Sequence, residues 1–207
     1  MKLYTFDIAP NPRRVSLFLK EKGVSLDTIP VDLGKGEQFS SPLIDVNPDS
    51  TVPTLVLDDG TVLTDVIAIC LYLESLYPEP PLFGQTPLEQ AQIVGWCHRI
   101  YINGLGAVAE VLRNKSEMFK GRALPGAVPL PQIPELAERG NARIGAFFEA
   151  MDKVVAEKDY LVGDRLSQAD IDLYASLGFC GWVQRAVPEE CQALTAWLAT
   201  MKSHFGE

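Results

Sequence analysis

Through the first third of the chain, apolar residues come in short runs broken by turn residues; beyond it they recur at helical spacing over long stretches. Residues 2–7, with Leu3, Tyr4 and Phe6, predict a strand. The turn Ala9-Pro10-Asn11-Pro12 follows. An amphipathic helix over 13–22 comes next, with Val15, Leu17, Phe18 and Leu19 apolar and Gly23 ending it. Residues 27–33 predict a second strand, and Pro30 suits an edge position. A polar loop over 34–41 leads through a short helical stretch to Asn47-Pro48. Residues 54–57 and 61–63 read as strands joined by Asp58-Asp59-Gly60, whose Asp-Gly pair favours a hairpin. Residues 65–77 predict a helix with Ile69, Leu73 and Leu76 on one face.

Strand, helix and strand within about 33 residues have the size of a βαβ unit, and a ββα unit follows. That order is the thioredoxin-like arrangement. The stretch Pro78-Glu79-Pro80-Pro81-Leu82-Phe83-Gly84 cannot continue a helix and marks a linker. Beyond it, residues 88–115, 134–157, 168–187 and 191–205 carry helical periodicity, and no stretch reads as a strand. The expected organisation is an α/β domain over 1–77, a linker over 78–86 and an all-helical domain over 87–207. A loop over 121–134 interrupts the helical part, and its proline-rich stretch over 125–134 is a candidate lid or an inert surface connection.

Composition narrows the function classes. Hydrophobic residues make up 47% and charged residues 22%, which fits a folded globular chain. The formal net charge of -9 disfavours nucleic acid as a partner, because phosphate binding needs clustered cations. The four cysteines have no CxxC spacing, and with two histidines no metal-ligand cluster is expected. Neither a signal peptide nor a membrane span is expected, so a cytoplasmic location is.

Four places carry candidate chemistry. A proline at Val52-Pro53, just before a strand and hairpin, is either an ordinary trans strand start or a cis link. In a thioredoxin-like fold the cis form lets Val52 offer its main-chain N–H and C=O to an extended thiol peptide. At the first turn, Asn11 is either a helix-entry residue or a side-chain donor beside a helix N-terminus, where a thiolate would be stabilised. Asp65 opens the helix after the hairpin, either capping it or meeting a ligand ammonium. The N–H of Val66 could hold a carboxylate there. Finally, Ser167-Gln168-Ala169-Asp170 has the spacing of a capping box and is expected to start a core helix.

These residues resemble the cytosolic glutathione transferase superfamily over essentially the whole chain. Residues 47–55, Asn-Pro-Asp-Ser-Thr-Val-Pro-Thr-Leu, look like its N-P-x-G-x-V-P-T-L segment, and residues 63–73 look like its L-T-E-S-x-A-I-x-x-Y-L. Ser167 to Asp170 matches a folding motif of the family's helical domain. The resemblance implies glutathione as co-substrate, with no metal, and a homodimer. It implies that Val52 binds the cysteinyl backbone, that Pro53 is cis, and that Asp65 stands near the γ-glutamyl ammonium. Gln38 resembles a residue that contacts the glycyl carboxylate, with Lys35 as a further candidate.

Two positions depart from the pattern. Val66 stands where the family has a serine, and Ala9 stands where theta-like members have a catalytic serine. The first turn is closest to bacterial Nu-class members, which carry Thr-Pro-Asn and rely on the asparagine; this points to Asn11. Tyr101 and Arg113 are the candidates for contact with a small hydrophobic electrophile. The expected activity is transfer of the glutathione thiol to an electrophile, or glutathione-dependent disulfide reduction. The alternative is a glutathione-binding or ligand-binding scaffold that has lost turnover.

Overall fold

The computed structural model describes residues 1–126 and 128–207, so residue 127, within the expected loop over 121–134, lies outside the described residues. The chain divides into two compact units. One comprises Met1–Pro80 and Gly121–Pro131; the other comprises Pro81–Lys120 and Gln132–Glu207.

The first unit is built on strands β1 (Lys2–Thr5), β2 (Asp27–Pro30), β3 (Thr54–Val56) and β4 (Val62–Leu63). They form one sheet in the order β2-β1-β3-β4. β1 runs parallel to β2 and antiparallel to β3, with Tyr4 opposite Thr54. β3 and β4 are antiparallel, with Leu55 opposite Leu63. Pro30 lies on edge strand β2, where its missing N–H breaks no interior ladder. The helices are α1 (Pro10–Lys22), α2 (Leu43–Val46) and α3 (Val66–Leu76).

α1 begins three residues before the amphipathic pattern does. Pro10 and Pro12 sit in its first turn, where an absent N–H breaks no helical bond. It ends at Gly23, whose φ of 63° is the left-handed conformation that lets Val24 N–H reach back to Leu19 O at 3.0 Å. Val15 and Phe18 of α1, Ile69 and Leu73 of α3, and Leu3 and Leu55 of the sheet are all fully buried, so one apolar core joins sheet and helices.

The segment Gly121–Pro131 groups with this unit although the sequence pattern leaves it among the helices. Within it Ala123 N–H donates to Leu130 O at 3.1 Å, and the Arg122 guanidinium lies 5.0 Å from the ring centre of Phe39. Main-chain closure and a cation–π contact hold the loop, and neither leaves a periodic trace in sequence.

The second unit contains α4 (Pro87–Ile100), α5 (Gly106–Lys115), α6 (Pro134–Val155), α7 (Gln168–Cys180) and α8 (Gln192–Phe205). α4 and α5 are joined by a π-helical turn, Tyr101–Leu105. The wider turn releases a main-chain acceptor, and Arg143 donates to Ile102 O there. Gly104 in this turn faces Ser176 and Phe147, so α7 and α6 approach closely at a point where a side chain would collide.

α7 is buried along nearly its full length. Its start is the expected capping box: Ser167 N–H donates to Asp170 Oδ2 at 2.9 Å and Ser167 Oγ donates to the same oxygen at 2.7 Å. The architecture is a thioredoxin-like unit combined with an all-helical one, as the sequence predicts. No helix among the described residues is long and apolar enough to cross a membrane.

Candidate functional site

Strand directions bring the candidates of the first unit to one end of its sheet. Tyr4 pairs with Thr54 and Leu55 pairs with Leu63. The end of β1, the start of β3 and the end of β4 therefore lie side by side. The connections leaving that end carry Ala9 to Asn11, Val52-Pro53, and Asp65-Val66. β2 runs parallel to β1, so its exit toward Gln38 is at the same end.

The Val52–Pro53 peptide bond is cis. Pro53 is buried, and Val52 packs half-buried against the cluster of Tyr4, Val31 and Leu43. Buried Asn47 shapes the approach to it: its Nδ2 lies 3.0 Å from Thr51 O and 2.9 Å from Thr54 Oγ1. Thr54 Oγ1 also donates to Thr51 O at 2.8 Å. Ser50, where the resembled pattern has glycine, takes a left-handed φ of 55°. Among the described residues, neither main-chain polar group of Val52 makes a hydrogen bond. Two groups of this strength are normally paired.

At the start of α1 the donor count is small. Pro10 and Pro12 have no N–H, and Arg13 N–H is taken by Ala9 O at 3.0 Å. The donors expected from the helix start at large thus narrow to Asn11, through its main-chain N–H and its side-chain amide. Ala9 occupies the N-cap position with no side-chain cap and is buried. Arg14 Nη1 donates to Asn11 Oδ1 at 3.1 Å. A guanidinium has donors only, so the contact assigns the oxygen of Asn11 to Arg14 and leaves the NH₂ facing elsewhere.

Asp65 is the N-cap residue of α3, yet its side chain makes no capping bond and is exposed. Of the two readings of this residue, capping is therefore absent. Its carboxylate stands at a helix start whose first N–H groups are not side-chain capped. Val66 is buried as the first residue of that helix.

Gln38 lies in a short 3₁₀ turn, Glu37–Phe39, and is 8% exposed. Its Oε1 is buried with no protein partner among the described residues. Leaving such an atom unbonded costs about 1–3 kcal/mol. Lys35 differs: its side chain is 75% exposed and its ammonium is 3.2 Å from Asp32 Oδ2. The hydrogen bond to Asp32 raises the Lys35 pKa, and the same bond lowers that of Asp32. Lys35 is a solvated cation already engaged by a neighbouring carboxylate.

The two candidates in the second unit are not brought together. Tyr101 opens the π turn and is half exposed, whereas Arg113 lies in α5, about 18 Å further along the helix axis. The Arg113 guanidinium is 4.6 Å from the ring centre of Phe119. On the same long helix Ile100 and Leu105 are core residues. A cavity of about 490 Å³ in this unit is lined instead by Trp96, Arg99, Lys158, Leu161 and Val162, among others. Sequence reasoning assigns no role to Asn47 and takes Arg14 for a solvated helix-start arginine able at most to assist electrostatically, whereas it is buried. The Asn-Pro before a strand could have flagged the first; nothing local marks the second as buried.

Known proteins show the same architecture. Residues 8–76 match the family model described as Glutathione S-transferase, N-terminal domain, and residues 110–204 match Glutathione S-transferase, C-terminal domain. Glutathione S-transferase 2 of Saccharomyces cerevisiae is 35% identical over 209 residues, covering 98% of this chain and 85% of that protein. The crystal structure of a glutathione S-transferase domain-containing protein from Marinobacter aquaeolei VT8 superimposes with a TM-score of 0.88. It is 31% identical, covering 98% of this chain and 97% of that one. The crystal structure of Gtt2 from Saccharomyces cerevisiae gives a TM-score of 0.87 at 33% identity, covering 98% and 96%.

Proposed function

The chain belongs to the glutathione S-transferase family, and from that premise we propose that it binds glutathione at this sheet end and activates the thiol for attack on an electrophile. The observation that carries the reading is the unpartnered main-chain pair of Val52 beside the open helix starts of α1 and α3. An extended cysteinyl residue laid antiparallel to Val52 would give one donor and take one. The γ-glutamyl ammonium meets the Asp65 carboxylate, and the γ-glutamyl carboxylate meets the first N–H groups of α3 at Val66. The buried Gln38 amide contacts the glycyl end, with Lys35 available to the carboxylate through solvent.

The cysteinyl sulfur then lies toward Asn11. A free thiol has a pKa near 8.5, so activation at neutral pH needs a shift of one to two units, about 1.4 kcal/mol each. Hydrogen bonds to a charged acceptor contribute about 1.5–3 kcal/mol each. The two donors of Asn11 are sufficient. In the reaction the thiol proton leaves to solvent, the thiolate forms a bond to the electrophilic atom, and the leaving group departs with the electron pair of the bond broken. With a disulfide substrate the electrophilic atom is sulfur and the product is a mixed disulfide. Tyr101 and Arg113 lie too far apart along the helix to meet one small electrophile together, so half-exposed Tyr101 is its proposed contact, and the chain is proposed to act as a homodimer, which sedimentation tests.

Ala9 and Val66 favour a second reading, in which glutathione binds without turnover, because each removes a hydroxyl the family pattern supplies. Isothermal titration with glutathione, followed by assays on an aryl halide and a small disulfide, separates the two. Binding with turnover supports the transferase, and binding alone supports the carrier.

A further inference from the structure

Arg14 is 2% exposed, although arginines in the first turns of a helix are ordinarily solvated. A buried guanidinium has to be hydrogen-bonded, and one of its bonds goes to Asn11 Oδ1 at 3.1 Å. We propose that Arg14 is a positioning residue for thiol activation: it fixes and polarises the Asn11 amide so that the NH₂ group is presented to the thiolate. This inference rests on the assignment of Asn11 as the thiolate donor.

The physical case has two parts. An amide that no neighbour distinguishes can turn over, exchanging its NH₂ for its oxygen, and an oxygen facing a thiolate repels it. With Arg14 on one side that exchange is closed, since it would set two donors against each other. A charged donor on the carbonyl also withdraws density from the amide and strengthens the opposite N–H as a donor, as in chains of hydrogen bonds generally. Asn11 needs both effects more than a hydroxyl would. A serine or tyrosine rotates one O–H to suit its ligand, whereas an amide has a wrong face. Helix geometry makes the pairing possible, because residues three apart share a face.

The test is a double-mutant cycle read on kcat, on glutathione KM and on the pH profile of kcat/KM, with Asn11→Ala, Arg14→Gln, Arg14→Lys and each Arg14 variant combined with Asn11→Ala. Arg14→Gln should lower kcat about tenfold and move the midpoint of the rising limb of kcat/KM to higher pH. Its glutathione KM should stay within about twofold. Arg14→Lys should recover a measurable part of kcat, because it keeps a cationic donor. In the Asn11→Ala background both changes should have almost no further effect on kcat. Equal losses in the two backgrounds would overturn the positioning role while leaving Asn11 as the donor. An Asn11→Ala variant with unchanged kcat and pH profile would instead remove the assignment beneath it. Should the Arg14 variants fail to fold, a crystal structure of the unaltered protein with glutathione decides: Asn11 Nδ2 within hydrogen-bonding reach of the sulfur supports the proposal, and the sulfur bound elsewhere overturns it.

Discussion

The Lys22 ammonium meets the Glu74 carboxylate at 2.6 Å, joining α1 to α3, the two helices whose N-terminal ends carry Asn11 and the N-cap residue Asp65. The Lys22 side chain is fully buried and also donates to Pro80 O and lies 5.4 Å from the Phe18 ring centre. Removing one member of a buried ion pair leaves an uncompensated charge, which costs about 3–5 kcal/mol. Glu74→Ala should fall near the lower end, because Pro80 and Phe18 still serve the ammonium. Urea unfolding checks this, and the double change Lys22→Met, Glu74→Leu should cost less than Glu74→Ala alone.

A pH effect is expected at the other unit's buried carboxyl. Burial pushes Asp170 up to about 6, while hydrogen bonds from Leu161 N–H, Ser167 Oγ and Ser167 N–H oppose the rise. The unfolded value is near 3.9, so the native state holds this proton more tightly. Its contribution to stability is complete below about pH 4 and is lost as pH rises through 6, a change of about 3 kcal/mol. The stability difference between wild type and Asp170→Asn should therefore fall by that order between pH 4 and 6.5 in urea melts. A difference independent of pH would contradict the assignment. Ser167→Ala should cost about 1 kcal/mol.

Gly104→Ala should destabilise the protein in spite of alanine's higher helix propensity. A Cβ there would meet Ser176 Oγ and stand 2.8 Å from Phe147 Cζ. Overpacking of this kind costs about 1–3 kcal/mol, against a propensity gain of about 1 kcal/mol. Thermal melts should show a lower Tm.

Much of the fold is legible because it depends on local pattern. The Asp-Gly hairpin, the strand–helix alternation and the Ser167 box each announce themselves within a few residues. The site is legible in part. Val52-Pro53 stands out because proline restricts its own neighbourhood, whereas Asp65 offers one carboxylate equally suited to capping and to a ligand, and only coordinates separate the two. Burial of Arg14, the grouping of Gly121–Pro131 with the first unit and the Arg122–Phe39 contact depend on residues distant in sequence or on packing, which hydropathy does not encode. The π turn at Tyr101–Leu105 is missed because widening one helical turn barely disturbs the apolar spacing.

Asn11 and Asp65 should divide kinetically. Asn11→Ala removes a donor to developing thiolate charge and should lower kcat about 10²-fold, with glutathione affinity nearly unchanged. Asp65→Ala removes a ground-state contact and should raise the glutathione dissociation constant first. Steady-state assays at saturating and limiting glutathione distinguish the two, and the reverse pattern would exchange the roles.

Isothermal titration of the unaltered protein with glutathione tests the central claim most directly. A saturable isotherm with one site per chain at millimolar glutathione or below, weakened by Asp65→Ala, is the predicted result. No detectable heat of binding at millimolar glutathione would contradict the assignment of this sheet end as a glutathione site.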